Sequence, residues 1–372
     1  MKILKKIIKT LFILLLIITI TLTILNFVPF TFSSVKGDNP FRTHDDYPLI
    51  IPHGGAKDLA PENTIYAYEM LVNEFEADVL EIDLALTKDN VLIAHHDLDL
   101  EFSDSSSLNG QLIKDYTYQE IIDEYQNDDY YLARQFKYPS DYKQGIAPFV
   151  DENDPSILEN LVPADLEKDI FQQVGDSVLY ILEIKDSPSC KNYEKDSLQY
   201  QVAAQTLIDL VYDYNLENNV VLASFSDDVT SYFNEHAPEI LIGAANDEVT
   251  NFTILSAFHV DFFWNVQSEV LILPNMTSMS PITGSTANLL DKMPSFIRDN
   301  IGIKTENGDG YHPHLTHQQL VNDAHRKNMA VIYWTINDPT EMKHLVEIGA
   351  DGIITDRPDL LQEIILELQS EK

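Results

Sequence analysis

The sequence predicts a (β/α)₈ TIM barrel with loop-face insertions, preceded by one N-terminal transmembrane helix. Two observations predict the barrel. Short β-rich runs alternate with helical stretches over 48–372, the pattern of a parallel α/β sheet. The runs fall at 49–53, 79–86, 91–95, 178–184, 219–225, 240–245, 269–273, 331–335 and 352–355, and one of these nine cannot be parallel. Only Lys88-Asp89-Asn90 separates the second run from the third. A parallel crossover needs about a dozen residues or more, so 91–95 folds back as a hairpin and eight parallel strands remain.

The helices read between the strands. Pro61-Glu62-Asn63-Thr64 is a helix-start signal for 63–76, and 198–214 and 316–328 place apolar residues three and four apart. A barrel of this kind takes about 250 residues, so the remainder is assigned to insertions at about 98–154 and 274–315. The first is rich in Tyr and Asp, and the second in Ser, Thr, Asn, Pro and Gly. Both follow strands, which puts both on the face where barrel enzymes carry their chemistry. The tyrosines of the first insertion, among them Tyr118, Tyr125 and Tyr142, suit a small subdomain packed on the barrel or a surface resting on lipid.

Ahead of the barrel, no residue from Thr10 to Val35 is charged, and Leu11–Val28 is nearly all Leu, Ile, Phe and Thr. About 20 such residues cross a bilayer, so 10–30 is expected to be a transmembrane anchor. The lysines at 2, 5, 6 and 9 place 1–9 in the cytoplasm. Residues 31–47 are then a linker, and the barrel lies outside a single-pass cell-membrane protein. The run is longer than the roughly 7–15 apolar residues of a cleaved signal peptide.

With 60 Asp and Glu against 24 Lys and Arg, the net charge of −36 argues against nucleic acid as a partner, because phosphate backbones are bound by basic residues. The single Cys190 excludes an intramolecular disulfide and a thiolate metal cluster.

Three carboxylates stand out. Glu81 and Asp83 are two apart on one strand and therefore share a face, and Glu183 and Lys185 repeat the spacing on another. Burying like charges together is costly without a cation, and an oxygen-only donor set suits Ca²⁺ or Mg²⁺. Two histidines end strands nearby. His53 precedes Gly54-Gly55, and His96 follows His95, which alternation points to the opposite side. A pair of imidazoles, one accepting and one donating a proton, is what phosphodiester cleavage needs near neutral pH. His312-Pro-His314-Leu-Thr-His317 matches no zinc-ligand spacing and is expected at the surface.

These residues, in order, resemble the signature of glycerophosphodiester phosphodiesterases. The likeness is carried by His53-Gly-Gly-Ala, Ala60-Pro-Glu62-Asn63-Thr64, Glu81-Ile-Asp83, His96-Asp97, Leu182-Glu183-Ile-Lys185, Trp334-Thr-Ile-Asn337 and Thr355-Asp356-Arg-Pro358. The resemblance implies a metal-dependent hydrolase that releases sn-glycerol 3-phosphate and an alcohol from a small glycerophosphodiester. It further implies that Glu81, Asp83 and Glu183 hold the divalent ion, Ca²⁺ or Mg²⁺, and that His53 and His96 act as base and acid. Glu62 and Lys185 would sit around ion and phosphate, and Trp334 would wall the glycerol. One departure is Gly54, where the family usually has an Arg that grips the phosphate; Lys57, Lys185 or Arg134 are the candidates to replace it. Alternative expectations are a phosphodiesterase acting on lysophospholipids or envelope glycerophosphate polymers, and a catalytically weak envelope binding protein.

Overall fold

Side chains alternate along a strand, so each strand of a barrel sends every second residue to the axis and the rest to the helices outside. The computed structural model describes residues 2–370 except 28–37, 44–46, 76, 142–154, 192, 195–196 and 276–278. In chain order the strands are β1 (Leu49–Pro52), β2 (Val79–Leu86), β3 (Leu92–Ala94), β4 (Leu179–Ile184), β5 (Val220–Ala223) and β6 (Leu241–Ile242). There follow β7 (Val270–Pro274), β8 (Ile282–Thr283), β9 (Gly302–Lys304), β10 (Gly310–Pro313), β11 (Ala330–Trp334) and β12 (Gly352–Thr355).

One parallel ladder runs β1-β12-β11-β7 and the other β2-β4-β5-β6. A parallel bridge from Gly243 to Val270 joins β6 to β7, and β1 lies against β2. These eight strands are the barrel. The hairpin expected at 91–95 is β3, paired antiparallel to β2 with Leu92 opposite Leu86 and Ala94 opposite Leu84.

The axis is filled by one aliphatic residue from each parallel strand: Ile51, Val79, Ile181, Val221, Leu241, Val270, Ile332 and Ile354, all at most 5 % exposed. The intervening residues face outward. Leu80, Ile82, Leu182 and Leu222 pack with Ala67 and Leu71 of the helix Ile65–Asn73 and Leu207 of Gln199–Asp213. On the other side Val331, Tyr333 and Ile353 meet Leu320, Leu345 and Leu361 of the helices Gln318–His325, Pro339–Glu347 and Pro358–Ser370. Fully burying one such side chain is worth about 1.5–3 kcal/mol, so both faces of the sheet are committed. Thr64 caps Ile65–Asn73, its hydroxyl accepting from Ala67 N, as the Pro61–Thr64 signal predicts.

Phe41, inside the segment expected as a linker, is fully buried with the axial core. Asn39 fixes it there, its Nδ2 donating to the carbonyls of Glu269 and Asn328 just before β7 and β11. Residues 38–43 thus plug the N-terminal end of the barrel; the rest of the described linker is Tyr47.

Both insertions fold. The first carries a helix, Tyr118–Asn127, with a capping box between Thr117 and Glu120. Its Tyr125 and Ile121 are buried with Phe102, Ile93 and Val162, and Tyr118 donates to the carbonyl of Pro163. It is a subdomain packed on the barrel; Tyr142 lies outside the described residues. The second is a three-stranded antiparallel sheet, β8-β10-β9, with the helices Gly284–Leu290 and Ser295–Ile301. Its strands are only two to four residues long.

At the N-terminus Lys2–Phe27 is one helix. Among the described residues no helix is long and apolar enough to cross a membrane. In Lys2–Phe27 the described side chains are those of Ile3, Lys5–Thr21 and Ile24, of which three are lysines. The expected anchor at 10–30 therefore gains no support from the fold.

Candidate active site

The alternation that fills the barrel axis also builds the site. One step beyond the aliphatic layer, toward the C-terminal ends of the strands, Ile51 is followed by His53, Val79 by Glu81 and then Asp83, Ile181 by Glu183, Ile332 by Trp334 and Ile354 by Asp356. Parallel register sets Asp83 opposite Glu183, so two carboxylates from neighbouring strands share one level. The sequence-predicted pairing of the two motifs is thus realised in space.

Lys185 is the cation among them. Its Nζ lies 2.8 Å from Asp83 Oδ1 and 3.0 Å from Glu183 Oε1. Burial disfavours its charge, but Glu183 and Asp83 outweigh that and hold its pKa above the ordinary value. Burial and the charge of Asp83 push Glu81 up to about 8, and burial pushes Glu183 up to about 7. Asp83 is also buried, yet Lys185 keeps it below its ordinary value. Two buried carboxylates and the partly buried Glu183 against one ammonium leave a deficit of positive charge. The Oδ2 atom of Asp83 is buried without a hydrogen-bond partner among the described residues. Glu81, by contrast, accepts from Gly54 N at 2.9 Å.

His53 Nδ1 stands 2.7 Å from Asp356 Oδ1. A carboxylate only accepts, so Nδ1 carries a proton and Nε2 is the nitrogen left to exchange one. Burial lowers the His53 pKa, but the bond to Asp356 and the charge of Glu81 reverse this and raise it overall. Asp356 is oriented in turn by Asn337, whose Nδ2 donates to Asp356 Oδ2 at 2.6 Å while its Oδ1 accepts from Asp356 N at 3.0 Å. Sequence reasoning quoted Asp356 and Asn337 as motif residues without giving them a role. The signal was present: Asp356 is two residues after the axial Ile354, the same spacing that singled out Glu81 and Asp83.

His53, Glu81 and Asp83 each offer one ligand atom, all within 4.8 Å of one another, a group that could hold a metal ion. Glu183, also expected in that set, lies on the neighbouring strand at the level of Asp83 and shares Lys185 with it. His96 sits at the rim, its side chain 48 % exposed and its Nδ1 3.0 Å from Asp97 Oδ1, lining a shallow recess with Lys185. His95, partly buried, points to the opposite side of the chain, with Nδ1 2.7 Å from the Asp97 carbonyl, as alternation predicts. Glu62 pairs with Lys57 at 2.5 Å. Trp334 leans on Phe225, ring centroids 5.2 Å apart.

The missing Arg has a local explanation. Gly54 has φ +51°, a left-handed conformation that side chains disfavour, and a Cβ there would meet Lys57 Cε at 3.0 Å. Lys57 runs across the position; burial lowers its pKa, and the charge and hydrogen bond of Glu62, then the charges of Asp83 and Asp356, raise it overall. Arg134 is paired with Asp128 and Asp129 inside the first insertion.

Known proteins are similar to this chain over most of its length. A glycerophosphodiester phosphodiesterase of Caldanaerobacter subterraneus is 23 % identical over 318 residues, covering 85 % of this chain and 97 % of that protein. The mouse lysophospholipase D GDPD1 is 22 % identical over 329 residues, covering 85 % of each chain. The fold matches an Oleispira antarctica phosphodiesterase solved with the product sn-glycerol-3-phosphate, at a TM-score of 0.52 and 17 % identity, covering 86 % of this chain and 97 % of that one. Residues 53–360 match the glycerophosphoryl diester phosphodiesterase family, and the chain belongs to that family of phosphodiester hydrolases.

Proposed function

We propose that this phosphodiesterase cleaves glycerophosphodiesters to sn-glycerol 3-phosphate and an alcohol, passing protons through His53 and His96 around a divalent ion, Ca²⁺ or Mg²⁺, held by Glu81, Asp83 and Glu183. The supporting observation is the pairing of two features. His53 has Nδ1 committed to Asp356, and beside it Asp83 Oδ2 is buried with no described partner. Oxygen donors in surplus over ammonium groups fit a hard cation. When bound, such an ion supplies Lewis-acid polarisation of a phosphate oxygen.

The chain's own groups do the rest. His53 Nε2 takes the proton of the glycerol hydroxyl next to the phosphate, and Asp356 stabilises the imidazolium that results. That hydroxyl attacks phosphorus to give a cyclic phosphate, and His96 at the rim protonates the departing alcohol. Water then opens the ring as the two histidines exchange roles. Lys57 supplies the phosphate-facing cation that an Arg at 54 would otherwise provide, and Trp334 walls the glycerol.

Full-length protein should release glycerol 3-phosphate from glycerophosphocholine with Mg²⁺ or Ca²⁺ and stop when a chelator is added. Near-full activity in His53→Ala or Glu81→Ala would overturn the assignment. We also propose that Lys2–Phe27 tethers the barrel outside the cell membrane, on the strength of the uncharged run Thr10–Val35 behind the lysines. Recovery of protein lacking 1–35 from the medium would refute the tether.

A further inference from the structure

Trp334 ends β11 and Lys185 follows β4, four strands apart in the ring of eight, so they stand on opposite sides of the barrel mouth. On the Lys185 side, His96 opens onto a recess of about 330 Å³, inside the range of about 300–1,000 Å³ typical of small-molecule sites. An in-line displacement sets the attacking and leaving oxygens on opposite sides of phosphorus. A glycerol held against Trp334 therefore directs the departing alcohol toward His96 and into this recess.

Most of the polar groups that line the recess are already committed. Lys185 is shared between Asp83 and Glu183 at 2.8 and 3.0 Å. Asp97 Oδ1 lies 3.0 Å from His96 Nδ1, and the Tyr193 hydroxyl donates to Asp186. Asp99 and Lys191 remain. Both are exposed and line the recess, and among the described residues neither has an ion-pair partner, so they do not pair with each other. A carboxylate and an ammonium held apart across one recess complement a group that bears both charges. A purely cationic headgroup would answer Asp99 and be repelled by Lys191, and a neutral polyol would answer neither charge.

We infer that this recess is the leaving-alcohol subsite, that Lys191 and Asp99 are its specificity-determining residues, and that it prefers an alcohol carrying both a carboxylate and an ammonium, as serine does. Lys191 takes the carboxylate and Asp99 the ammonium. The inference rests on the proposed function, which gives His96 the departing oxygen. The phosphorus–oxygen bond to the alcohol breaks and water is divided between the products. Its oxygen and one hydrogen end on phosphorus, and the other hydrogen reaches the alcohol by way of the histidines.

The test is competition. Full-length protein in lipid nanodiscs with Mg²⁺ receives an equimolar mixture of glycerophosphoserine, glycerophosphoethanolamine and glycerophosphoglycerol, and the released serine, ethanolamine and glycerol are quantified by mass spectrometry. Ratios within one mixture do not depend on how much of a variant folds. One exposed charge pair is worth about fivefold, so serine release should exceed ethanolamine release by about that factor. Lys191→Glu should reverse the order and Lys191→Arg should keep it; if Lys191→Glu is inactive, Lys191→Gln, which should bring the two rates together, stands in for it. Asp99→Asn should lower serine and ethanolamine release about fivefold relative to glycerol. Added salt should shrink both ratios. Glycerol released as fast as serine, a serine-to-ethanolamine ratio unmoved by the Lys191 variants, or a serine-to-glycerol ratio unmoved by Asp99→Asn overturns the subsite alone. No cleavage of any of the three diesters overturns the function on which it rests.

Discussion

Asp356→Asn isolates the part of the site that only the fold reveals. In the native protein the Asp356 carboxylate accepts from His53 Nδ1–H at 2.7 Å and is held by Asn337 from its other side. With an amide, Asn337 Nδ2 still needs an acceptor, so the new carbonyl oxygen faces Asn337 and the new NH₂ faces His53. The amide then donates to Nδ1, the proton moves to Nε2, and the nitrogen that should accept from substrate is blocked. A hydrogen bond to a charged group contributes about 1.5–3 kcal/mol and a neutral one about 0.5–1.5. Losing the first and gaining the second in the wrong sense shifts the tautomer by about 2–4.5 kcal/mol. At about 1.36 kcal/mol per decade, kcat should fall roughly 30- to 2,000-fold. The assay is glycerol 3-phosphate release from glycerophosphocholine under saturating metal, with thermal melting to establish that the variant is folded. Asp356→Ala, which leaves Nδ1 to water, should retain more activity than Asp356→Asn. A folded Asp356→Asn within threefold of wild type would refute the reasoning, as would an alanine variant slower than the asparagine one.

Lys57→Ala should lower kcat/KM about 10- to 150-fold, the loss of one charge-assisted phosphate contact of about 1.5–3 kcal/mol, and Lys57→Arg should restore most of it; equal activity in all three would remove Lys57 from the phosphate site. Gly55→Ala should destabilise the fold by about 2–4 kcal/mol in urea unfolding, because Gly55 has φ +91° and its Cβ would lie 2.7 Å from that of Ala67. A loss under about 0.5 kcal/mol would contradict that close approach. His317 titrates at about 4 in the folded chain against an ordinary 6.5. The unfolded chain therefore binds the proton first, and stability present at pH 7 is lost as pH falls below about 6.5, by about 2 kcal/mol at pH 5. His317→Asn, which can still cap Gln318–His325, should flatten that slope in denaturant titrations; an unchanged slope would show that His317 is not its source.

The sequence alone determined the barrel and most of the polar set, for a physical reason. Strand alternation and helical spacing are local, so the eight parallel runs, the hairpin at β3 and the inward sharing of Glu81 with Asp83 follow from neighbours along the chain. The same rule separated His95 from His96. What it could not determine depends on where chain ends and insertions settle. Phe41 looked like linker because burial under the barrel depends on Glu269 and Asn328, residues more than 200 positions away. The second insertion was legible only as a stretch rich in Ser, Thr, Asn, Pro and Gly, although it folds as three short strands and two helices and walls an apolar cavity. Asp356 and Asn337 could be quoted as motif but not assigned, since their work is done on His53, some 300 residues earlier. Glu183 and Asp83 come from strands about 100 residues apart in sequence, and only the packed site shows that they share Lys185. Pattern decides which face a side chain takes, because that is geometry within one strand. Which partner it meets there is decided by closing the barrel, which brings together charges that the chain keeps far apart.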